Sequence, residues 1–149
     1  MLTTKISFDT ILPIWQDKLW PNRQSAIEPV SAMTWPFEGS PEPIDKPVFW
    51  GVYKDNKLVG VNSGHRTGNT QYRSRGIWVD PDYRGQGIAQ QLFTLTEHQA
   101  LVEGCLLVWS IPRKTALSSY TKFGFETVGG YIETETADAN IYVKKFLPY

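Results

Sequence analysis

Residues 77–91 read IWVDPDYRGQGIAQQ, and the fold turns on how this stretch is read. Ile77, Trp78 and Val79 form an apolar run that ends at Asp80 and Pro81, where a strand stops because proline cannot donate to the next ladder position. A helix begins after it. Its opening, Arg84, Gly85, Gln86, Gly87, Ile88 and Ala89, sets glycines where the backbone must approach another group, beside an arginine. The unpaired amides of a helix start, with the positive end of the helix dipole, make such a turn a site for phosphate oxygens. The spacing is not that of a dinucleotide fold, since Gly85 and Gly87 are followed by Gln90 where a third glycine would stand. The plain alternative is that the two glycines only shape a tight strand-to-helix turn.

Around this stretch the composition sets bounds. A chain of 149 residues reads as one domain, 1–149, large enough to bury a core. Its 15 basic and 15 acidic residues cancel, so no global field draws it to nucleic acid or anionic lipid, and neither is an expected partner. Attraction for a polyanion must be local. The one cysteine, Cys105, sits in the apolar run CLLVW and has no internal disulfide partner, which suits the reducing cytoplasm. The opening MLTTKISFDT does not resemble a secretion signal, and no run approaches the ~20 apolar residues of a membrane span. No Cys and His cluster has metal-ligand spacing, so no metal is expected. The oligomeric state is left open, a homodimer included.

The periodicity predicts the elements in turn. Lys5 to Phe8 reads as a short strand, and Phe8, Ile11, Leu12, Trp15 and Leu19 recur at helical spacing, with Ser7 or Asp9 as cap and a stop before Pro21. Asn22 to Met33 reads as a second short helix bent or broken at Pro29, and Trp35 to Pro47 as an extended loop. Val48 to Tyr53 and Lys57 to His65 form a hairpin by composition, and Tyr72 to Asp80 completes a meander. The long helix carries an apolar stripe through Ile88, Leu92, Leu95 and Gln99 and ends at Gly104. Cys105 to Ile111 is a buried strand, parallel to the strand before the helix by the right-handed crossover rule. A helix over about Lys114 to Lys122 and a closing pair, Phe125 to Glu133 and Asn140 to Phe146, finish the chain. The fold class is α/β, with a mixed central sheet flanked by helices.

Two motifs resemble the GNAT acyl-CoA N-acyltransferases. Arg84, Gly87 and Ala89 match R/Q-x-x-G-x-G/A, and Ala116 to Phe125 (ALSSYTKFGF) is similar to A-x-x-x-Y-x-K-x-G-F; the order of elements from about Ile6 to Phe146 agrees with that fold. The resemblance implies acetyl-CoA as cosubstrate. It places the pantetheine arm against Trp78 and Val79 as an added strand, and the pyrophosphate on the amides of Gly85, Gln86, Gly87, Ile88 and Ala89 beside Arg84. Tyr120 is then the acid that protonates the departing thiolate, its alternative being a ring packed in the core. Many relatives carry asparagine where Arg113 stands; Arg113 or Lys114 could reach a cofactor phosphate, or Arg113 could be a solvated charge.

On the acceptor side the resemblance points to Trp20 and Arg23, in the connection after the first helix, whose alternative role is helix packing. Relatives often place an acid or histidine where Arg73 and Arg75 stand, and neither arginine can act as a base. Two apart on one strand, the arginines share a face and could grip an acceptor carboxylate or phosphate, or else pair with Glu38, Glu42 or Asp45. His65 could act as a base through a water, as could Glu133, or be a contact to the acceptor or a hydrogen-bonded structural residue, and no base is assigned. His98 reads as a solvated side chain. The neutral charge favours a small-molecule amine acceptor over a protein tail. Two functions therefore compete: an acetyl-CoA-dependent N-acetyltransferase, and a non-catalytic acyl-CoA sensor that keeps the cofactor site.

Overall fold

The computed structural model describes residues 1–31, 46–133 and 139–148. The expected loop through residues 35–45 and the turn between the closing strands lie outside them. Seven strands form one sheet: β1 Leu2–Ile6, β2 Val48–Lys54, β3 Lys57–Arg66, β4 Gln71–Val79, β5 Leu107–Ser110, β6 Glu126–Glu133 and β7 Ala139–Phe146. Their spatial order is β1-β2-β3-β4-β5-β7-β6, and the sheet is mixed because β4 and β5 run parallel while every other neighbouring pair is antiparallel. Among the described residues three α-helices accompany it: α1 Phe8–Ile14, α2 Ile88–Val102 and α3 Leu117–Phe123. No helix among the described residues is long and apolar enough to cross a membrane.

Local chemistry sets most of these boundaries. Ser7 caps α1 by accepting from the Thr10 amide at 3.1 Å. Pro13 then removes an amide from the helix interior, and the chain continues as a π-helical turn over Trp15–Leu19, closed by the Trp20 amide on the Trp15 carbonyl at 2.8 Å. Between β2 and β3, Asp55 and Asn56 both take positive φ, 52° and 64°, as a two-residue hairpin turn requires. Gly104 and Gly124, each with positive φ, end α2 and α3.

Three expectations need correction. The first strand covers Leu2–Ile6 and not Lys5 to Phe8, because Ser7 caps the helix that Phe8 opens. Residues 22–31 form no helix: Arg23 turns its side chain onto the Ser25 hydroxyl and the Ala26 carbonyl, and the Glu28 carbonyl is taken by Arg75 from the sheet, so the backbone is held by side chains and not by a helical ladder. The buried stripe of α2 runs through Ile88, Leu92, Phe93, Thr96 and Ala100, with Leu95 and Gln99 at its margin. Thr96 enters the core because its hydroxyl donates to the Leu92 carbonyl (2.9 Å) and accepts from Asn62 Nδ2 (3.0 Å).

A bulge in β4 reorients the strand. Val61 faces Trp78 and Ser63 faces Arg75, so two residues, Gly76 and Ile77, oppose the single Asn62. Gly76 has φ +77°, and a Cβ there would overlap the ring of Trp15, whose Nε1 donates to the Gly76 carbonyl at 2.9 Å. The extra residue puts Trp78 on the same face as Arg75, packed with Ile11, Trp15, Leu19 and Phe49, while Ile77 turns to the α2 side. Gly76→Ala should therefore destabilise the protein by roughly 2–5 kcal/mol, combining positive-φ strain with overpacking. Gly85→Ala, also at positive φ but facing open space, should cost only roughly 1–2 kcal/mol. Urea unfolding of the two variants measures the difference; equal losses would show that the Trp15 contact carries nothing.

Candidate active site

The site arises where β4 and β5 part. Their parallel ladder pairs only Gln71 with Leu107, Tyr72 with Val108 and Arg73 with Trp109. Beyond it, Ser110 Oγ donates to the Ser74 carbonyl at 2.6 Å, so a side chain takes the acceptor that a continued ladder would use, and Pro112 has no amide to offer. The rest of β4 faces a cleft of about 440 Å³ walled on one side by Ile77, Trp78 and Val79 and on the other by Arg113 and α3.

At the mouth of this cleft stands the glycine turn. Asp80 caps the 3-10 turn Pro81–Tyr83 by accepting from the Asp82 amide (2.9 Å) and pairs with Lys57 at 3.0 Å. Gly85 and Gly87 both have φ +79°, and a Cβ at either would meet nothing within 4 Å, so their backbone lies open to the cleft. Gly87 is the cap of α2, has no side chain to bond the first amides, and no acid lies in the first turn. These amides keep their capacity for an anion.

The charge of the cleft is one-sided. Arg84, Arg113 and Lys122 line it, and among the described residues no Asp or Glu does. Arg84 Nε donates to the Val79 carbonyl at 3.2 Å, which anchors it between strand and turn. The Gln86 side chain is not in the wall: its Oε1 accepts from Lys54 at 2.7 Å, so only its backbone is offered to a ligand. Ile88 and Ala89 line the cleft from the first turn of α2, as expected for that position. Sequence reasoning missed a strip opposite them. Thr115, Ser118, Ser119 and Lys122 also line the cleft, and their i, i+3, i+4, i+7 spacing, polar where a core helix is apolar, was the available signal.

Tyr120 lies deeper, outside the wall of the cleft. Its ring packs against Phe93 (4.7 Å) and Phe125 (5.3 Å), and its hydroxyl lies 3.4 Å from Ser110 Oγ, beside the parting of the strands. Burial raises its pKa above the ordinary value of 10, so the phenol keeps its proton at neutral pH.

The other face of the sheet, under α1 and the π-helical turn, carries the expected acceptor residues. Arg75 Nη1 donates to the Glu28 carbonyl at 2.8 Å, and its guanidinium lies over Trp15 and Trp20 at 4.8 and 5.4 Å. Arg23 stacks over the same Trp20 at 5.4 Å. Arg73 lies over Trp109 at 5.2 Å. Burial lowers Arg73 to about 10 and Arg75 to about 9, with Arg23 adding to both, and both remain cations at neutral pH. His65, opposite Arg73 in the ladder, is fully buried; burial first, then Arg73 and Arg75, hold it down to about 3. It is neutral at working pH and too weak a base to deprotonate an amine. His98 is exposed on α2.

The family model of the acetyltransferase (GNAT) domain matches residues 45–127, and the chain belongs to that family. A curated acetyltransferase of Agrobacterium fabrum is 32% identical over 76 residues, covering 50% of this chain and 55% of that protein, so the match spans little more than half of the relative. Among solved structures, an aminoglycoside 6'-N-acetyltransferase complexed with coenzyme A has the same fold, with a TM-score of 0.74 at 15% identity over 100% of this chain and 99% of that one. An acetyltransferase from Bacillus cereus matches at 0.62 and 24% over 72% of this chain and 76% of its own.

His65 gives the site a pH signature. Below the ordinary value of 6.5 the unfolded chain takes up a proton that the buried ring refuses until about 3. Stability should fall as pH drops through that window, by up to about 1.4 kcal/mol per unit from this residue. Denaturant melts of wild type and His65→Gln from about pH 7 to 4 measure the slope, and the variant should be flatter by that amount. Parallel slopes would mean that His65 does not resist protonation.

Proposed function

We propose that the chain, acting as one domain over residues 1–149, transfers an acetyl group from acetyl-CoA to the amine of a small, carboxylate-bearing acceptor. The observation that carries this reading is the cleft itself: open glycine backbone at an uncapped helix start, with Arg84, Arg113 and Lys122 as the charged side chains that line it among the described residues, in a protein whose net charge is zero. The family, the named relative and a fold neighbour complexed with coenzyme A support it.

The acyl donor brings a thioester, and the chain does the rest. The amides from Gly85 to Ala89, with Arg84, Arg113 and Lys122, hold the pyrophosphate and neighbouring phosphate. The unpaired edge of β4 from Ile77 to Val79 binds the pantetheine amides as an added strand would. As the amine nitrogen bonds to the carbonyl carbon and the carbon–sulfur bond breaks, Tyr120 Oη gives its proton to the sulfur and recovers one from solvent, which has accepted the proton lost by the nitrogen. Arg23, Arg73 and Arg75 disfavour an ammonium beside them, so the neutral amine is the species that reacts.

A sensor that binds acyl-CoA without turnover is the second reading, favoured by one observation: the buried His65 is too weakly basic to act as a base. Release of free thiol from acetyl-CoA in the presence of an amine and amino-acid panel separates the two. Tyr120→Phe should keep the thermal stabilisation by CoA and lower kcat by about 10–100-fold, less than a full general-acid effect because a thiolate leaves readily. Gly87→Leu should fold and lose that stabilisation. A Phe variant with wild-type turnover while chemistry limits the rate would return Tyr120 to the core, and a Leu variant that still responds to CoA would move the cofactor elsewhere.

A further inference from the structure

The three guanidinium groups on the acceptor face differ in what holds them. Arg75 is held in place, donating from Nη1 to the Glu28 carbonyl and lying against the rings of both Trp15 and Trp20. Arg23 donates to Ser25 and the Ala26 carbonyl. Arg73 stands apart: it is 7% exposed, its Nε and Nη1 are buried without any hydrogen-bond acceptor, and its contact is the ring of Trp109. Its ladder neighbour His65 is equally bare, with both ring nitrogens buried and unpartnered. Cross-strand neighbours on one face sit close enough to act on one ligand.

We propose that Arg73 is the anion anchor of the acceptor site, gripping the carboxylate of an amino-acid acceptor with the N–H of His65 as an added donor, whereas Arg75 takes no part in that grip and rivets residues 20–31 over the sheet. An unpaired buried guanidinium lowers the stability of the fold that carries it, and such a group is explained when a ligand brings the missing counter-charge. Its place fits the need, since Arg73 is the last β4 residue paired with β5 and stands where the strands part. Among the described residues, the two charges that share its face, Arg23 and Arg75, are cationic, and no Asp or Glu acts on Arg73. A carboxylate matches the planar guanidinium in two parallel N–H bonds. The inference rests on the acyl-transfer reading for the amine of the acceptor, but not for the anion site itself.

Thermal melts test it with CoA present and with glycine, glutamate, phenylalanine, their amides, and phosphoethanolamine as probes. The free amino acids should raise the melting temperature of the wild type while their amides and phosphoethanolamine do not. Arg73→Met should melt higher than wild type without ligand, because a bare charge is removed, and should lose the response to amino acids; Arg73→Gln repeats the measurement with a polar side chain. Arg75→Met should melt lower and keep the response. Where thiol is released, Arg73→Met should raise KM for the acids about 30-fold or more relative to the amides. A lower melting temperature in both Arg73 variants, an amino-acid response that survives them, or a wild type that answers acids and amides alike overturns the proposal. Failure of the acyl-transfer reading looks different: the amino-acid response persists and no amine releases thiol.

Discussion

The early end of the β4–β5 ladder is the constraint on which the structure depends. Two parallel strands buried in the middle of a sheet would ordinarily pair along their length, because an unpaired buried amide or carbonyl is costly. Here Ser110 satisfies the Ser74 carbonyl with its side chain, and Pro112 removes a donor, so the strands separate after Arg73 and Trp109. The opening exposes β4 backbone from Ile77 to Val79 to the cleft and leaves Arg73 at the point of parting. The proposed donor and acceptor sites thus share one break in a hydrogen-bond ladder.

Charge is distributed to match. A net charge of zero gives no long-range pull, yet the charged side chains lining the cleft among the described residues are Arg84, Arg113 and Lys122, and the nearby Asp80 serves the 3-10 turn and the Lys57 pair. Local fields suffice because the cleft wall is of low dielectric and the ligand charges it would meet are close. On the acceptor face the aromatic rings of Trp15, Trp20 and Trp109 lie against the guanidinium groups of Arg73 and Arg75 and help to keep these cations in the interior.

Much of this was legible in the residues. The glycine turn, the Asp55-Asn56 hairpin and the parallel crossover follow from local rules of backbone geometry, and each is found where those rules place it. Less was legible wherever a distant residue decides a local outcome. The helical spacing of Ala26, Ile27 and Val30 yields to Arg75, which reaches from 47 positions away for the Glu28 carbonyl. Strand alternation makes Arg73 and Arg75 equivalent, and only the tertiary partners tell the engaged one from the bare one. The bulge at Gly76, which carries Trp78 onto the acceptor face, shows in the sequence as nothing more than a glycine in a strand.

Hydrogen–deuterium exchange of the protein with and without acetyl-CoA tests the central claim most directly, because it reads the backbone groups assigned to the cofactor and does not depend on knowing the acceptor. The account predicts slowed exchange at the amides of residues 77–79 and 85–89, with β1 and β2 unchanged. Unaltered exchange in both stretches, or protection confined to another part of the sheet, would contradict it.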